Sequence, residues 1–413
     1  MNLSISSKDY FLLFSNPLET TVFSLSFLLF SCGTVSRGLI NLWRLPMLRF
    51  FLTTAILFNL AFAHQATGQS RFGIFDTLKL KDFKPESRLQ VPAHTVIRAR
   101  YPVIDAHSHS YLKDEEIHRW VEMMKACNVR KVVILSGGYG ERLKETIENY
   151  LGKYPDHFQI WARIDDRDID ARGYPERAAR SVKEAFRMGA RGIGEYKDMG
   201  RGFGGDREKG TKGVNIDDPR WDKALETAGR LGMPVSIHVG DMEDCYYPLT
   251  NTSELGLAGA AWNVYGRKGI LPKAEIMATR NRAMKKHPNT IFIGCHVGNL
   301  SHDLGELGRL LDLYPNFYID ISARAWDIGR QPFTARRFFI KYADRILFGT
   351  DLGPSEEMYR GWFRLLETED EFFRVPDAVW WMNYGLNLPD EVLRKIYYGN
   401  ACRLFLDMEG GAW

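Results

Sequence analysis

Residues 105–109 read Asp-Ala-His-Ser-His, directly after the apolar Val103 and Ile104. In an extended strand, residues two apart face the same way. His107 and His109 then project together, about 6–7 Å apart at Cα, with Asp105 one step below on the same face. Two imidazoles so placed can converge on one ion, and imidazole suits zinc and other transition metals. Two unrelated loop histidines would look the same in isolation, so the rest of the chain has to decide.

Other polar residues stand where short apolar runs stop. Glu195 and Lys197 lie within Gly194-Glu-Tyr-Lys197, His238 ends Pro234-Val-Ser-Ile-His238, His296 follows Ile293-Gly-Cys295, and Asp351 ends Leu347-Phe-Gly-Thr-Asp351. Any one of these reads equally well as an ordinary strand-end residue. Together they place four of the ten histidines and a carboxylate at matching points of a repeated pattern. Glu195 and Lys197 share a strand face, and either point inward together or pair with each other.

The pattern itself is an alternation of strand and helix. Apolar, β-branched or aromatic runs predict strands at 102–107, 131–135, 158–163, 192–196, 234–239, 290–295, 316–321 and 345–349. Between them, apolar residues recur at three- and four-residue spacing, as in Ile117, Trp120, Val121 and Met124, or Leu304, Leu307, Leu310 and Leu311. Eight such units predict an α/β fold, a (β/α)8 TIM barrel over residues 101–408, with long loops after strands 4, 5 and 8. An open doubly wound sheet is the alternative, but no Gly-x-Gly-x-x-Gly follows the first strand. A closed barrel gathers the C-terminal strand ends at one mouth, where barrel active sites lie.

With 413 residues, 45% apolar and 26% charged, the composition is that of an ordinary globular chain. A net charge of +4 without a basic, aromatic-interleaved stripe argues against a nucleic-acid partner. The cysteines Cys32, Cys127, Cys245, Cys295 and Cys402 show no Cys-x-x-Cys spacing, so neither a disulfide framework nor a zinc ribbon is expected. They read as small buried apolar residues. Residues 1–68 read as an export region. Met47-Leu-Arg, an apolar run over 50–63 and the small-x-small Ala61-Phe-Ala63 predict a signal peptide at 47–63, with translation starting at Met47. The run is shorter than the roughly 20 residues of a membrane span. The expectation is an exported protein with no stable membrane insertion after cleavage; an uncleaved anchor is the alternative. Residues 69–100, polar and carrying Pro85 and Pro92, read as an arm on the outside of the barrel.

The chain resembles the amidohydrolase superfamily, in its amidohydrolase-related (amidohydrolase 2) metal-dependent hydrolase branch, which also contains decarboxylases of aromatic and related carboxylic acids. The resemblance covers about 101–405. It rests on Asp105-Ala-His-Ser-His109, His238, His296, Gly349-Thr-Asp351 and the closing Tyr398-Gly-Asn-Ala-Cys-Arg-Leu-Phe405. It implies His107, His109, His238 and Asp351 as ligands of a divalent metal, zinc first and manganese second. It implies His296 as a polarising or acid/base residue, or as a ligand of a second metal. Two-metal members often carry a carboxylated lysine or a glutamate on strand four, and Gly194-Glu195 is similar to the glutamate version of the TatD-type deoxyribonucleases. One ion with Glu195 beside it is expected, with two ions as the alternative.

A metal lowers the pKa of bound water from about 16 toward ~7. Asp351 would take that proton, and His296 would hold the substrate oxygen as charge develops. Arg324, just past strand seven, would clamp a substrate carboxylate in a bidentate manner, and Lys197 is a second substrate-binding candidate. The expected activity is cleavage of an ester, lactone or amide bond in a small organic substrate. A metal-dependent decarboxylase is the first alternative and a non-catalytic ligand-binding barrel the second. The expected partners are a small molecule and, in a homo-oligomer, further copies of the chain.

Overall fold

The computed structural model describes residues 77–405, apart from 80, 81, 85, 111, 113–115, 204–212, 255, 257–261 and 377–380. The signal peptide expected at 47–63 lies outside the described residues. Among those described, no helix is long and apolar enough to cross a membrane. The chain divides into two compact units, one ending at Leu89 and one starting at Gln90. The second carries every predicted site residue.

Eight parallel strands run in chain order: β1 Val103–Ser108, β2 Val129–Ile134, β3 Phe158–Ile160, β4 Ile193–Asp198, β5 Val235–Val239, β6 Phe292–Gly294, β7 Phe317–Asp320 and β8 Ile346–Leu347. They pair as β1-β2-β3 and β4-β5-β6-β7-β8. Isolated contacts join the two sheets at both seams. Ala162 bridges Ile193 between β3 and β4, and the Ala106 N–H donates to Phe348 O at 2.9 Å between β8 and β1. This is the expected (β/α)8 barrel, joined at its seams by a few backbone hydrogen bonds rather than full ladders.

Helices cover the strands: α1 Ile117–Cys127, α2 Glu141–Tyr150, α3 Tyr174–Met188, α4 Asp222–Arg230, α5 Lys273–Lys286, α6 Leu304–Leu313, α7 Ala325–Arg330, α8 Pro332–Lys341, α9 Glu356–Glu367, α10 Asp390–Arg394 and α11 Asn400–Phe405. α1 shows why they form. Its buried residues are Ile117, Trp120, Val121, Met124 and Cys127, one stripe at helical spacing. Asn128 at φ 65° then ends it with a left-handed cap. The long loop expected after β8 contains a helix instead, α9, and a short helix, α7, follows β7. The start of α9 is capped by the Ser355 side chain, which accepts from Met358 N–H, and its first turn carries Glu356 and Glu357.

An apolar plug fills one end of the barrel interior. Ile104 and Ala106 of β1, Val133, Leu135, Trp161, Ile293 and Leu347 pack with Ala401, Cys402 and Phe405 of α11. The Phe405 ring meets Trp161 edge-on at 5.2 Å, and Gln159 Nε2 donates to Phe405 O at 2.9 Å. The plug leaves the opposite end, where the strands terminate, for chemistry. Outside the barrel, residues 90–100 are strapped across the end of α9. His94 N–H donates to Asp370 Oδ2 at 2.8 Å, and Arg100 N–H to Glu367 Oε1 at 3.0 Å.

Candidate metal centre

The five predicted ligand side chains and Glu195 meet at that open end. His107 Nε2 lies 3.6 Å from Asp351 Oδ1 and 4.0 Å from Glu195 Oε1. His109 Nε2 lies 3.2 Å from Asp351 Oδ1 and 3.5 Å from Glu195 Oε2. On the other side, His238 Nδ1 is 2.6 Å from Glu195 Oε1 and 3.0 Å from His296 Nε2. His296 Nε2 is in turn 3.6 Å from both Glu195 Oε1 and Asp351 Oδ2. Two of the candidate ligand sets that result are His107/His109/Asp351 and Glu195/His238/His296. The two oxygens of Glu195 face both.

Close backbone approach makes this possible at two glycines. A Cβ on Gly349 would fall 2.9 Å from His107 Cβ, and one on Gly194 2.7 Å from Ser236 Cβ. Gly349 therefore lets β8 lie against β1, and Gly194 lets β4 carry Glu195 in against β5.

The imidazoles are oriented from behind. His107 Nδ1–H donates to Asp320 Oδ2 at 2.9 Å, which leaves Nε2 with its lone pair aimed into the site. That Nε2 is buried and has no hydrogen-bond partner, as is His238 Nε2. His296 Nδ1 donates to the Ser322 carbonyl oxygen at 3.0 Å. A carbonyl only accepts, so His296 Nδ1 carries the proton and Nε2 faces the site unprotonated. Asp241 Oδ2 lies 3.5 Å from His238 Nε2, placing an acceptor where a proton on that nitrogen would free Nδ1. Lone-pair-bearing ring nitrogens, His107 Nε2 among them buried without a partner, gathered with carboxylates fit divalent ions.

The electrostatics agree. Burial opposes the charge of Glu195, yet the adjacent His238 and a hydrogen bond from His109 hold its carboxyl well below the usual range. Burial opposes that of Asp351 too, and the neighbouring His107 and His109 keep it ionised. Burial, reinforced by the charge of His238, pushes His296 down to about 4, so it is neutral near pH 7.

Several expectations need correction. Asp105 does not share the histidines' face. A register shift between Asp105 and Ser108 breaks the two-residue alternation, and Asp105 instead accepts from Thr350 Oγ1 at 2.7 Å and Tyr359 OH at 3.0 Å. His296 is not at a strand end. β6 stops at Gly294, and His296, Val297, Gly298 and Asn299 form a left-handed turn with φ of 59°, 57°, 59° and 54°. Arg324 is no free bidentate clamp. Its Nη2 already donates to Asp241 at 3.0 Å and Asn299 at 2.7 Å, and its Nη1 to Ala323 O at 2.8 Å. Its Nε alone lacks a partner. Lys197 makes no ion pair with Glu195 among the described residues and points to the cavity.

That cavity, about 600 Å³, opens over His238, His296 and Asp351. Its wall combines Met242, Trp262, Ile270 and Trp326 with Lys197, Arg201, Arg267 and Arg324. Sequence reasoning missed Asp320, Ser322, Asp241 and Asn299, which hold the ligands without being ligands. Only Asp320 and Ser322 carried a signal, as polar residues ending strand seven.

Comparison with known proteins adds a family. The amidohydrolase family model matches residues 104–406. No curated protein matches the chain. Among solved structures, the 2,6-dihydroxybenzoate decarboxylase of Rhizobium is 17% identical, with 75% of this chain and 100% of that one covered at a TM-score of 0.46. A 5-carboxyvanillate decarboxylase of Novosphingobium aromaticivorans, complexed with manganese and 4-hydroxy-3-methoxy-5-nitrobenzoic acid, is 14% identical, with 76% and 99% covered at 0.47. An uncharacterized TIM-barrel protein of Bordetella bronchiseptica is 16% identical, with 74% and 98% covered at 0.46.

Proposed function

Since this chain belongs to the amidohydrolase family, we propose that it is a metal-dependent hydrolase with a two-ion centre bridged by Glu195, cleaving an ester, lactone or amide bond in a small anionic substrate. The observation that carries this is the pair of adjacent ligand sets, with Glu195 of one set reaching to 3.5 Å from His109 Nε2 and 4.0 Å from His107 Nε2 of the other. The sequence predicts one ion with two as the alternative; the two-ion reading draws support from His296, which presents a lone pair, not an N–H, toward the centre. It therefore serves as a ligand rather than as a donor to the substrate oxygen.

Divalent ions supply Lewis acidity and acidify water in such a site. The chain's own residues do the rest. Asp351, ionised and 20% exposed at its side chain, accepts the proton of the attacking water and returns it to the leaving group. Lys197 and Arg267 of the cationic wall bind the substrate's anionic group and orient the scissile bond. Trp262 and Trp326 cover an apolar body.

That cationic wall also favours a second reading, decarboxylation, because the group it holds could itself be the one lost. Loading the stripped protein with Zn2+ or Mn2+ and assaying carboxylated lactones, esters and aromatic acids separates the two. Released acid, alcohol or amine supports hydrolysis, and released carbon dioxide overturns it. Metal analysis tests the bridge: about two ions per chain, falling to one or none in Glu195→Ala. One ion in the unaltered protein overturns the two-ion centre.

A further inference from the structure

Of the cysteines, Cys127, Cys245 and Cys402 each pack within an apolar cluster. Cys295 is fully buried yet belongs to none of the three. It follows Gly294 of β6 and lies under the metal centre, with its Sγ 3.1 Å from Ser236 Oγ. Its Sγ, a His107 ring nitrogen and a Glu195 oxygen all fall within 4.8 Å of one another. His107 Nε2, fully buried, has no hydrogen-bond partner of its own.

We propose that Cys295 is a metal-facing thiol, closing the His107/Glu195 side of the centre from the barrel floor and biasing it toward thiophilic ions over manganese. A sulfur ligand sits at about 2.3 Å from zinc, slightly farther than an imidazole nitrogen, so small side-chain adjustments complete the set. Soft thiolate selects zinc, cadmium or cobalt, whereas carboxylate and carbonyl oxygens suit manganese. On coordination the S–H bond breaks, the sulfur keeps the electron pair and donates it to the ion, and the proton leaves to solvent. The proposal rests on the centre holding divalent ions, not on which substrate bond is cleaved.

Cobalt supplies the test, because a Co2+–thiolate bond adds a near-ultraviolet charge-transfer absorption that nitrogen and oxygen ligands do not produce. The full chain, stripped of metal, is titrated with Co2+ beside Cys295→Ser and Cys402→Ser. The band should grow with bound cobalt in the unaltered protein and in Cys402→Ser, and be missing in Cys295→Ser. In Cys295→Ser the Co2+ affinity should fall at least about tenfold, the lower bound for losing even an outer partner of a ligand, while Mn2+ affinity falls less. Cobalt bound without the band in the unaltered protein overturns this proposal alone, whatever the variant's folding. A band retained in Cys295→Ser does the same, and failure to bind any divalent ion overturns it together with the metal centre.

Discussion

The two halves of the centre are built in different ways. On one side, His107 and His109 leave the end of β1, a six-residue strand buried throughout. Asp351 is brought to them by β8, its N–H donating to His107 O at 2.9 Å. On the other side, His296 sits in a turn of four consecutive left-handed residues. Each non-glycine residue there costs about 1–2 kcal/mol, so the turn persists only because others hold it. Arg280 Nη1 donates to Gly298 O at 2.7 Å, Asn299 Nδ2 to Gly240 O at 2.9 Å, and Arg324 Nη2 to Asn299 Oδ1 at 2.7 Å. The first half is positioned mainly by its strands, with a single left-handed residue, Asp351 at φ 50°, and with His107 oriented by Asp320. The second depends on side chains from remote segments, so its geometry is conditional.

The largest effect should come from the strand-built half. Asp351→Asn keeps the side chain's shape but removes its basicity. We expect kcat to fall about 10²–10⁴-fold, the range for a lost acid–base group, with the fold intact by circular dichroism. A loss under tenfold would move the proton-handling role across to the other half.

Asn299→Ala addresses the turn-built half. It removes the bond to Gly240 O, leaves Arg324 short of a partner, and puts a less tolerant residue at φ 54°. The expected cost is about 2–3 kcal/mol, from one buried hydrogen bond plus left-handed strain. For a chain of this size that lowers Tm by several degrees. If the comparison holds, metal analysis shows the ion of the His238/His296 set lost first, with the His107/His109 set still loaded. Equal loss from both would show that the halves are not separately supported.

The same division decides what the sequence reveals. Strand alternation and the ligand types at strand ends expose His107, His109, Glu195, His238 and Asp351, because each signal is local. Apolar periodicity exposes α1 and α6 for the same reason. The left-handed turn at 296–299 is hard to read locally, since Arg280 and Arg324 hold it and Asp320 Oδ1 accepts from the His296 N–H, bonds that span 18 to 25 residues of chain. Asp105 misleads because the strand rule assumes an unbroken register, and β1 shifts there. The α9 helix was readable, with Ser355 capping ahead of Glu356 and Glu357, but the length of the loop after β8 concealed it. Asp320 and Ser322 stand at a strand end like the ligands, yet a search for metal-binding types passes over residues that bind the ligands themselves.

Ser322 lies where the two halves touch, and its removal gives the smallest and most discriminating change. Its hydroxyl donates to Asp320 Oδ1 at 2.5 Å and lies 2.9 Å from His296 Nδ1 and 3.0 Å from His107 Nδ1. One oxygen thus helps orient an imidazole in each half. Asp320 duplicates the task on the His107 side by accepting from Nδ1 directly. On the His296 side, the Ser322 carbonyl duplicates it. Ser322→Ala keeps that carbonyl and costs about 1 kcal/mol, a typical single hydrogen bond. That corresponds to a few-fold weaker binding of metal. Because both rings have a second acceptor, the loss should fall on both ion affinities alike. Combining Ser322→Ala with Asn299→Ala sharpens the point. Additive losses mean Ser322 acts on each half independently. A combined loss for the His238/His296 ion well beyond the sum means the hydroxyl is also part of what keeps the left-handed turn in place.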